Sequence, residues 1–249
     1  MQVSQFEIHR LVQRTLEALG AGYGVDRDAA RAVVWLEAHG FPGLAVMDVG
    51  LADLEAGIRP PKLQSAATPG ELMIDAGGAS TIGFGSAAVD LLLARAVASG
   101  KGQVGLRLCR CRSPLFLIPV AVENSAEAAF SLAWQTGHGG IEVRVEADHA
   151  ATVFSGSGGN LRAALSESGE TEVDIRVAPV SQGFSPPRSG MVAVLKPDDL
   201  ARQFAQSLDE GVAVDPAIWR RIDAVAARVQ VPASEESRRK GAGGGDANA

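Results

Sequence analysis

Three stretches of the chain hold residue types that could do chemistry. The first is a glycine-rich turn, Gly77-Gly78-Ala79-Ser80-Thr81-Ile82-Gly83-Phe84-Gly85, between a short apolar strand and a long apolar helix. Backbone N–H groups at a helix N-terminus can hold an anion, and glycines let it approach. Ser80 and Thr81 are the side chains that would touch such a ligand. The spacing is neither the dinucleotide Gly-x-Gly-x-x-Gly nor a P-loop with Lys-Ser/Thr. The same residues also suit a plain reading, a tight strand-to-helix turn packed against the sheet.

The second stretch is Arg107 to Pro114. Alternation along a strand puts Arg107, Cys109 and Cys111 on one face and Leu108, Arg110 and Arg112 on the other. Arg110 and Arg112, at a strand end opening into a helix, could clamp a carboxylate or phosphate through paired N–H bonds. Solvated strand-end charge is the alternative. Cys109 and Cys111 are the only thiols. Two thiols cannot close a tetrahedral zinc site, and no histidine stands at finger spacing, so no metal is expected.

The third is the turn at His138, flanked by Gly137 and Gly139. Of the four histidines, it is the best placed to act as a general acid or base. His9 falls on the surface of the first helix. His39 falls at a helix end, where a protonated ring suits the dipole. His149 follows Asp148. No Gly-x-Ser-x-Gly elbow is present, and Ser157 reads as part of a flexible loop. Near the C-terminus, Val231-Pro232-Ala233-Ser234-Glu235-Glu236-Ser237-Arg238 precedes a glycine-rich end. Ser234, Ser237 and Arg238 could dock on the body or on a partner, and a solvated tail is the alternative.

These groups need elements to position them. Ser4 and Glu7 have capping-box spacing ahead of Phe6, Leu11, Val12, Leu16 and Leu19 at helical period. Asp26 is expected to cap a second helix, and Pro42 to open a third that ends at Gly57. Residues 1–57 thus read as an N-terminal helical cap. Ile58 to Gly70 reads as an extended connector. The helix Ser86 to Ser99 is apolar most of the way round, which predicts burial on more than one side. Gln103–Leu108, Ala128–Trp134, Ile141–Ala147, Thr171–Val177 and Met191–Leu195 read as strands, and helices follow Pro197 and Asp215-Pro216. Clean βα alternation stops after Trp134. The expected fold is therefore α/β (α+β): a mixed, partly antiparallel sheet over 71–230 with C-terminal helices, then a polar tail over 231–249.

Composition sets outer limits. A chain of 249 residues, 46% apolar and 21% charged, is that of a globular protein large enough to fold without metal or disulfide staples. A formal charge of −6 argues against non-specific nucleic-acid binding and against docking on anionic membranes. The longest apolar run, Leu115 to Val122, is broken by Pro119 and is far short of the ~20 residues of a membrane span. The N-terminus lacks a basic region followed by an apolar core, so a cytoplasmic protein without a signal peptide is expected.

The order of these features resembles a bacterial family of uncharacterised proteins, a domain of unknown function that ends in Val-Pro-Ala-Ser-Glu-Glu-Ser-Arg. More distantly, residues 4–134 are similar to the type-2 malate/L-lactate dehydrogenase family. The matching stretches are Phe41-Pro42-Gly43, Gly57-Ile58-Arg59-Pro60, Asp75 to Gly85 and Leu106 to Pro114. The resemblance implies a mixed sheet, a homodimer or a pairing with another subunit, a small carboxylate substrate and an NAD(P) site. That family places histidines where this chain has Pro42 and near Ser113-Pro114. Two expectations follow. In one, the protein is a divergent or non-catalytic relative that binds a small anionic ligand, a nucleotide or a partner subunit. In the other, it is an active NAD(P)-dependent oxidoreductase on a 2-oxo or cyclic imino acid, with Arg110 or Arg112 holding the carboxylate and His138 donating the proton.

Overall fold

The computed structural model describes residues 1–56, 61–64, 71–100, 102–126, 128–156, 161–167 and 169–229. The C-terminal motif of Ser234, Ser237 and Arg238, the end of the third helix at Gly57, most of the connector after it, and Ser157 lie outside them.

A short strand β1 (Gln2–Val3) leads into helices α1 (Gln5–Ala18), α2 (Val25–Ala38) and α3 (Gly43–Glu55). Ser4 caps α1 as its spacing predicts: the Glu7 N–H donates to Ser4 Oγ at 3.2 Å, and the Ser4 N–H donates to Glu7 at 2.7 Å. At α2 the cap differs from expectation. Gly24 is the N-cap, and Asp26 lies inside the first turn, where its carboxylate accepts the Gly24 N–H at 3.1 Å. The positive φ of Gly24, 93°, lets the backbone make the sharp entry itself.

Strands β2 (Lys62–Gln64) and β3 (Leu72–Asp75) follow, then α4 (Gly85–Ser99), β4 (Val104–Cys111) and α5 (Leu117–Glu123). Next come β5 (Ala128–Thr136), β6 (Gly139–Val145), β7 (Ala151–Ser155), α6 (Leu161–Ser166), β8 (Thr171–Pro179) and β9 (Val192–Leu195). The described chain closes with α7 (Pro197–Glu210), β10 (Val212–Ala213) and α8 (Pro216–Ala226). Eight strands form one sheet in the order β2-β3-β4-β8-β5-β6-β7-β9. Only β3 and β4 pair in parallel; the other neighbours are antiparallel. The α/β class with a mixed, partly antiparallel sheet is the one the sequence predicts. β1 and β10 make a separate ribbon that ties the N-terminus beside α8.

The core lies on one face of the sheet. Leu106 and Leu108, Phe130, Leu132 and Trp134, Val143, and Val173 and Ile175 alternate inward along their strands and are buried. Two local expectations fail. Arg110 adopts a positive φ of 50°, and the β4–β8 register shifts between Leu108 and Cys111. The irregularity reverses the side-chain phase, so Cys111 is buried while Cys109 is only partly covered, and the two thiols do not share a face. The second failure is α4. It buries Gly85, Ala88, Val89 and Leu92 on one side only. Ala87, Asp90, Leu91, Ala94, Arg95, Val97 and Ala98 are exposed.

Candidate functional site

The chain beyond β3 keeps pairing with the end of β4. The Ala76 N–H donates to Cys109 O at 2.9 Å and the Gly78 N–H to Arg110 O at 2.7 Å. The Arg112 N–H donates to Ala79 O at 3.0 Å, and the Thr81 N–H to Arg112 O at 2.9 Å. Most of the other donors of the glycine-rich turn close on the turn itself. Gly77 donates to the Asp75 carboxylate at 3.0 Å, Ala79 to Ala76 O at 3.0 Å, and Ile82 to Ser80 Oγ at 3.4 Å. Gly83 donates to Ser80 O at 3.1 Å and Phe84 to Thr81 O at 3.3 Å. These N–H groups are spent on the fold and are not aimed at a ligand. The plain reading of the turn, a strand-to-helix connection laced to the sheet, describes this geometry.

Thr81 belongs to that lacing. It is buried, and its hydroxyl donates to Ser113 O at 2.5 Å. Ser113, in the left-handed region at φ 57°, turns the chain from β4 into the 3-10 turn at Pro114. Ser80 lines a cleft of about 200 Å³ together with Asp53 and Leu54 of α3, Phe84, Arg112 and Glu170. Of the two candidate arginines, only Arg112 is among the cleft-lining residues. Its Nη1 donates to Asp53 and its Nη2 stands 3.6 Å from Glu170. Its Nε is buried without a hydrogen-bond partner among the described residues. Arg110 is exposed and forks onto Asp75, Nε to Oδ1 at 3.0 Å and Nη2 to Oδ2 at 2.5 Å. That fork, with the Gly77 N–H, holds the Asp75 carboxyl below the usual carboxylate range.

His138 stands exposed at the tip of the β5–β6 hairpin. Its backbone N–H donates to Thr136 Oγ1 at 3.1 Å, and the neighbouring Gly137 N–H donates to Glu167 at 2.7 Å. The register, with Thr171 opposite Cys111 and Val173 opposite Trp134, puts this tip at the same end of the sheet as the cleft. His138 is not among the residues lining the cleft.

Asp53 and Glu170 were not singled out by the sequence reading. Asp53 sits near the end of α3 and Glu170 just ahead of β8, and neither has a neighbouring pattern that marks it. Their meeting at Arg112 is a product of the tertiary fold.

A second cleft, about 360 Å³, lies between the end of α2, α6 and α7. Glu37, Arg162, Gln203 and Gln206 line it. The Glu37 carboxylate accepts the Leu44 N–H at 2.6 Å and so caps the first turn of α3. Burial pushes its carboxyl up to about 7, against the Leu44 N–H and the Arg162 charge, which pull it down. His39 stacks on Trp35 at 4.0 Å and on Phe204 at 5.2 Å, with Nδ1 2.7 Å from Trp35 O. Burial lowers its pKa, which favours the neutral ring over the protonated one the sequence suggests. His149 is tied by Nδ1 to Val122 O at 2.6 Å. No group of three or more His, Cys, Asp or Glu among the described residues is placed to hold a metal ion, and no described helix is long and apolar enough to cross a membrane.

Residues 3–78 match a family model described as Protein of unknown function (DUF3726). No curated protein matches the sequence. Solved structures do match the fold. A dehydrogenase from Sinorhizobium meliloti superposes with a TM-score of 0.70 at 11% identity, covering 91% of this chain and 99% of that one. The chain has the malate/lactate dehydrogenase-type fold. Sulfolactate dehydrogenase from Methanocaldococcus jannaschii gives 0.65 at 11% identity over 90% and 96% of the two chains. Malate dehydrogenase from Pyrococcus horikoshii OT3 gives 0.59 at 12% over 93% and 96%. At these identities the likeness is one of fold. On this dehydrogenase-type fold, Phe41-Pro42-Gly43 is the α2–α3 turn and Leu106 to Pro114 is β4 with its exit. Pro42 and Pro114, at or beside the positions where the resemblance led one to look for histidines, carry no titratable group.

Proposed function

We propose that the protein is a divergent, non-catalytic relative of the malate/lactate-type dehydrogenases, and that it binds a small anion at Arg112. One observation carries this reading: the polar groups at the end of β3 and β4 are bonded to each other rather than held open for chemistry. Arg110 is closed on Asp75, and most of the turn N–H groups are closed on the end of β4 or on the turn itself. With Asp53 and Glu170 against a single arginine, the cleft has no spare positive charge for a dinucleotide pyrophosphate, and a single small carboxylate can enter only in place of Glu170. Glu170 is the loose member. Its 3.6 Å contact occupies the place a ligand carboxylate would take, and exchange for such a ligand gives Arg112 a closer, charge-assisted partner.

Calorimetric titration with small mono- and dicarboxylates tests this. Binding that tightens in Glu170→Gln and is lost in Arg112→Gln supports it. No binding to either the parent chain or Glu170→Gln sinks it.

One observation favours the alternative, an active NAD(P)-dependent oxidoreductase. Reduction of a carbonyl or imine needs a proton donor near the substrate. Glu37 is a carboxyl that is still partly protonated near neutral pH, in a cleft that also holds Arg162. Incubation with NADH or NADPH and a panel of 2-oxo and cyclic imino acids, followed at the nicotinamide band, separates the readings. Turnover that falls in Glu37→Gln or His138→Ala overturns the non-catalytic one.

A further inference from the structure

The core occupies one face of the sheet, and alternation along the strands sends another set of side chains to the opposite face. There the register lays out two cross-strand rows. One runs Gly105, Arg176, Ser131, Arg144, and the next runs Arg107, Asp174, Ala133, Glu142. The segment joining β8 to β9 lies over these rows and is pinned near both ends. Near its start the Gln182 side chain packs against Gly102, so closely that a Cβ there would collide with it. Near its end Arg188 donates from Nη2 to Asp174 at 3.3 Å and from its backbone N–H to Glu142 at 3.2 Å. Between these points Phe184 and Pro186 help to roof a cleft of about 170 Å³. It shares no lining residue with the cleft at Arg112.

Three arginines, Arg144, Arg176 and Arg188, line this cleft against two carboxylates, Glu142 and Asp174, an excess of one positive charge. Both carboxylates are already engaged. Glu142, 3% exposed, accepts Arg144 Nε at 2.8 Å and Nη2 at 2.7 Å besides the Arg188 N–H. Asp174 accepts Arg107 Nε at 3.0 Å besides the Arg188 guanidinium. The Arg176 side chain is left with no hydrogen-bond or ion-pair partner among the described residues, and so is the Ser131 hydroxyl. The register sets these two opposite each other on adjacent strands, with Cβ atoms about 5 Å apart. Glu71, beside Gly105, neither lines the cleft nor pairs with Arg176.

We propose that this cleft binds a small monocarboxylic acid with a hydrocarbon body. Arg176 takes the carboxylate through paired N–H bonds, and the Ser131 hydroxyl adds another. Phe184 and Pro186 receive the hydrocarbon. The excess of one charge matches one carboxylate. A dianion would leave the roofed site negative, and a neutral amide would leave its positive charge unanswered. Entry displaces no protein carboxylate, because Glu142 and Asp174 are held by other arginines. At Arg112, by contrast, a ligand has to replace Glu170.

Calorimetric titration of the full chain carrying Arg112→Gln, in which the first cleft has lost its cation, tests the proposal. The probes are phenylacetate, acetate, phenylacetamide and inorganic phosphate. Phenylacetate should bind, acetate about tenfold more weakly, and the amide and phosphate not at all. Adding Arg176→Gln should weaken phenylacetate about tenfold or more. Arg176→Lys, which keeps the charge without the fork, should also bind less tightly than arginine. Adding Phe184→Ala should bring phenylacetate close to acetate. Arg176 is exposed, so circular dichroism should be unchanged by its replacement. No binding of phenylacetate would overturn the proposal and leave the reading of Arg112 untouched, since that cation is absent from the test. Binding of the amide or phosphate as tight as that of phenylacetate would overturn the ligand class. Binding of phenylacetate indifferent to Arg176→Gln would overturn the site.

Discussion

The Arg112 guanidinium joins Asp53, 59 residues earlier, so one ion pair ties the end of α3 to the exit of β4. Both side chains are partly exposed, 33% and 42%, which keeps the pair modest in energy. Arg112→Ala should lower stability by about 0.5–1.5 kcal/mol in urea unfolding. Part of that effect is the pair itself. A double-mutant cycle with Asp53→Ala should therefore give a coupling energy above zero. A coupling of zero would mean that the contact contributes nothing and that Arg112 acts through packing alone.

Gly78 combines a positive φ with a close neighbour. Its φ is +85°, and an added Cβ would stand 2.9 Å from the Glu170 carboxylate. Gly77 has a φ of +57° and open space around it. Both substitutions put alanine at a positive φ and should cost about 1 kcal/mol, with Gly78→Ala a few tenths more, since the Glu170 side chain can swing aside. Glu170→Ala placed on Gly78→Ala should recover the steric part and leave the conformational part. Equal losses at 77 and 78 would show that the Glu170 contact does not matter.

The sheet, the first three helices and the C-terminal helices were legible because alternation, capping residues and prolines are local signals. The polar site was legible only in part. Arg112 and Ser80 could be named, since both lie beside an obvious turn. Asp53 and Glu170 could not, because their meeting with Arg112 depends on how α3 and the approach to β8 pack around the sheet end. The face of Cys111 was misread for a backbone reason. A single residue in the left-handed region, Arg110, reverses the strand phase, and an arginine carries no sign that it will adopt that conformation.

That reversal has a chemical consequence. Burial pushes the Cys111 thiol up to about 12, and Cys109 is raised as well, again mainly by burial. The thiolate is the reactive form. In native protein near neutral pH, Cys111 should not react with a disulfide reagent such as dithionitrobenzoate over hours, and Cys109 should react slowly. Both should react at once in denaturant. Rapid modification of Cys111 in the folded protein would mean that β4 opens locally.

Glu37 should leave a mark on the pH dependence of folding. Its carboxyl titrates near 7 in the folded chain and at its ordinary 4.5 when unfolded. The folded state therefore holds this proton more tightly. The stability that Glu37 contributes is complete below 4.5 and is lost as pH rises from there through 7. The loss is on the order of 1–3 kcal/mol. Glu37→Gln keeps an oxygen for the Leu44 N–H and removes the titration. The variant should gain on the parent chain progressively across that window, with the two curves parallel below it. Urea midpoints measured at intervals of half a pH unit would show this. Parallel curves throughout would mean that the Glu37 carboxylate is solvated, and would remove the proton donor on which the oxidoreductase reading leans.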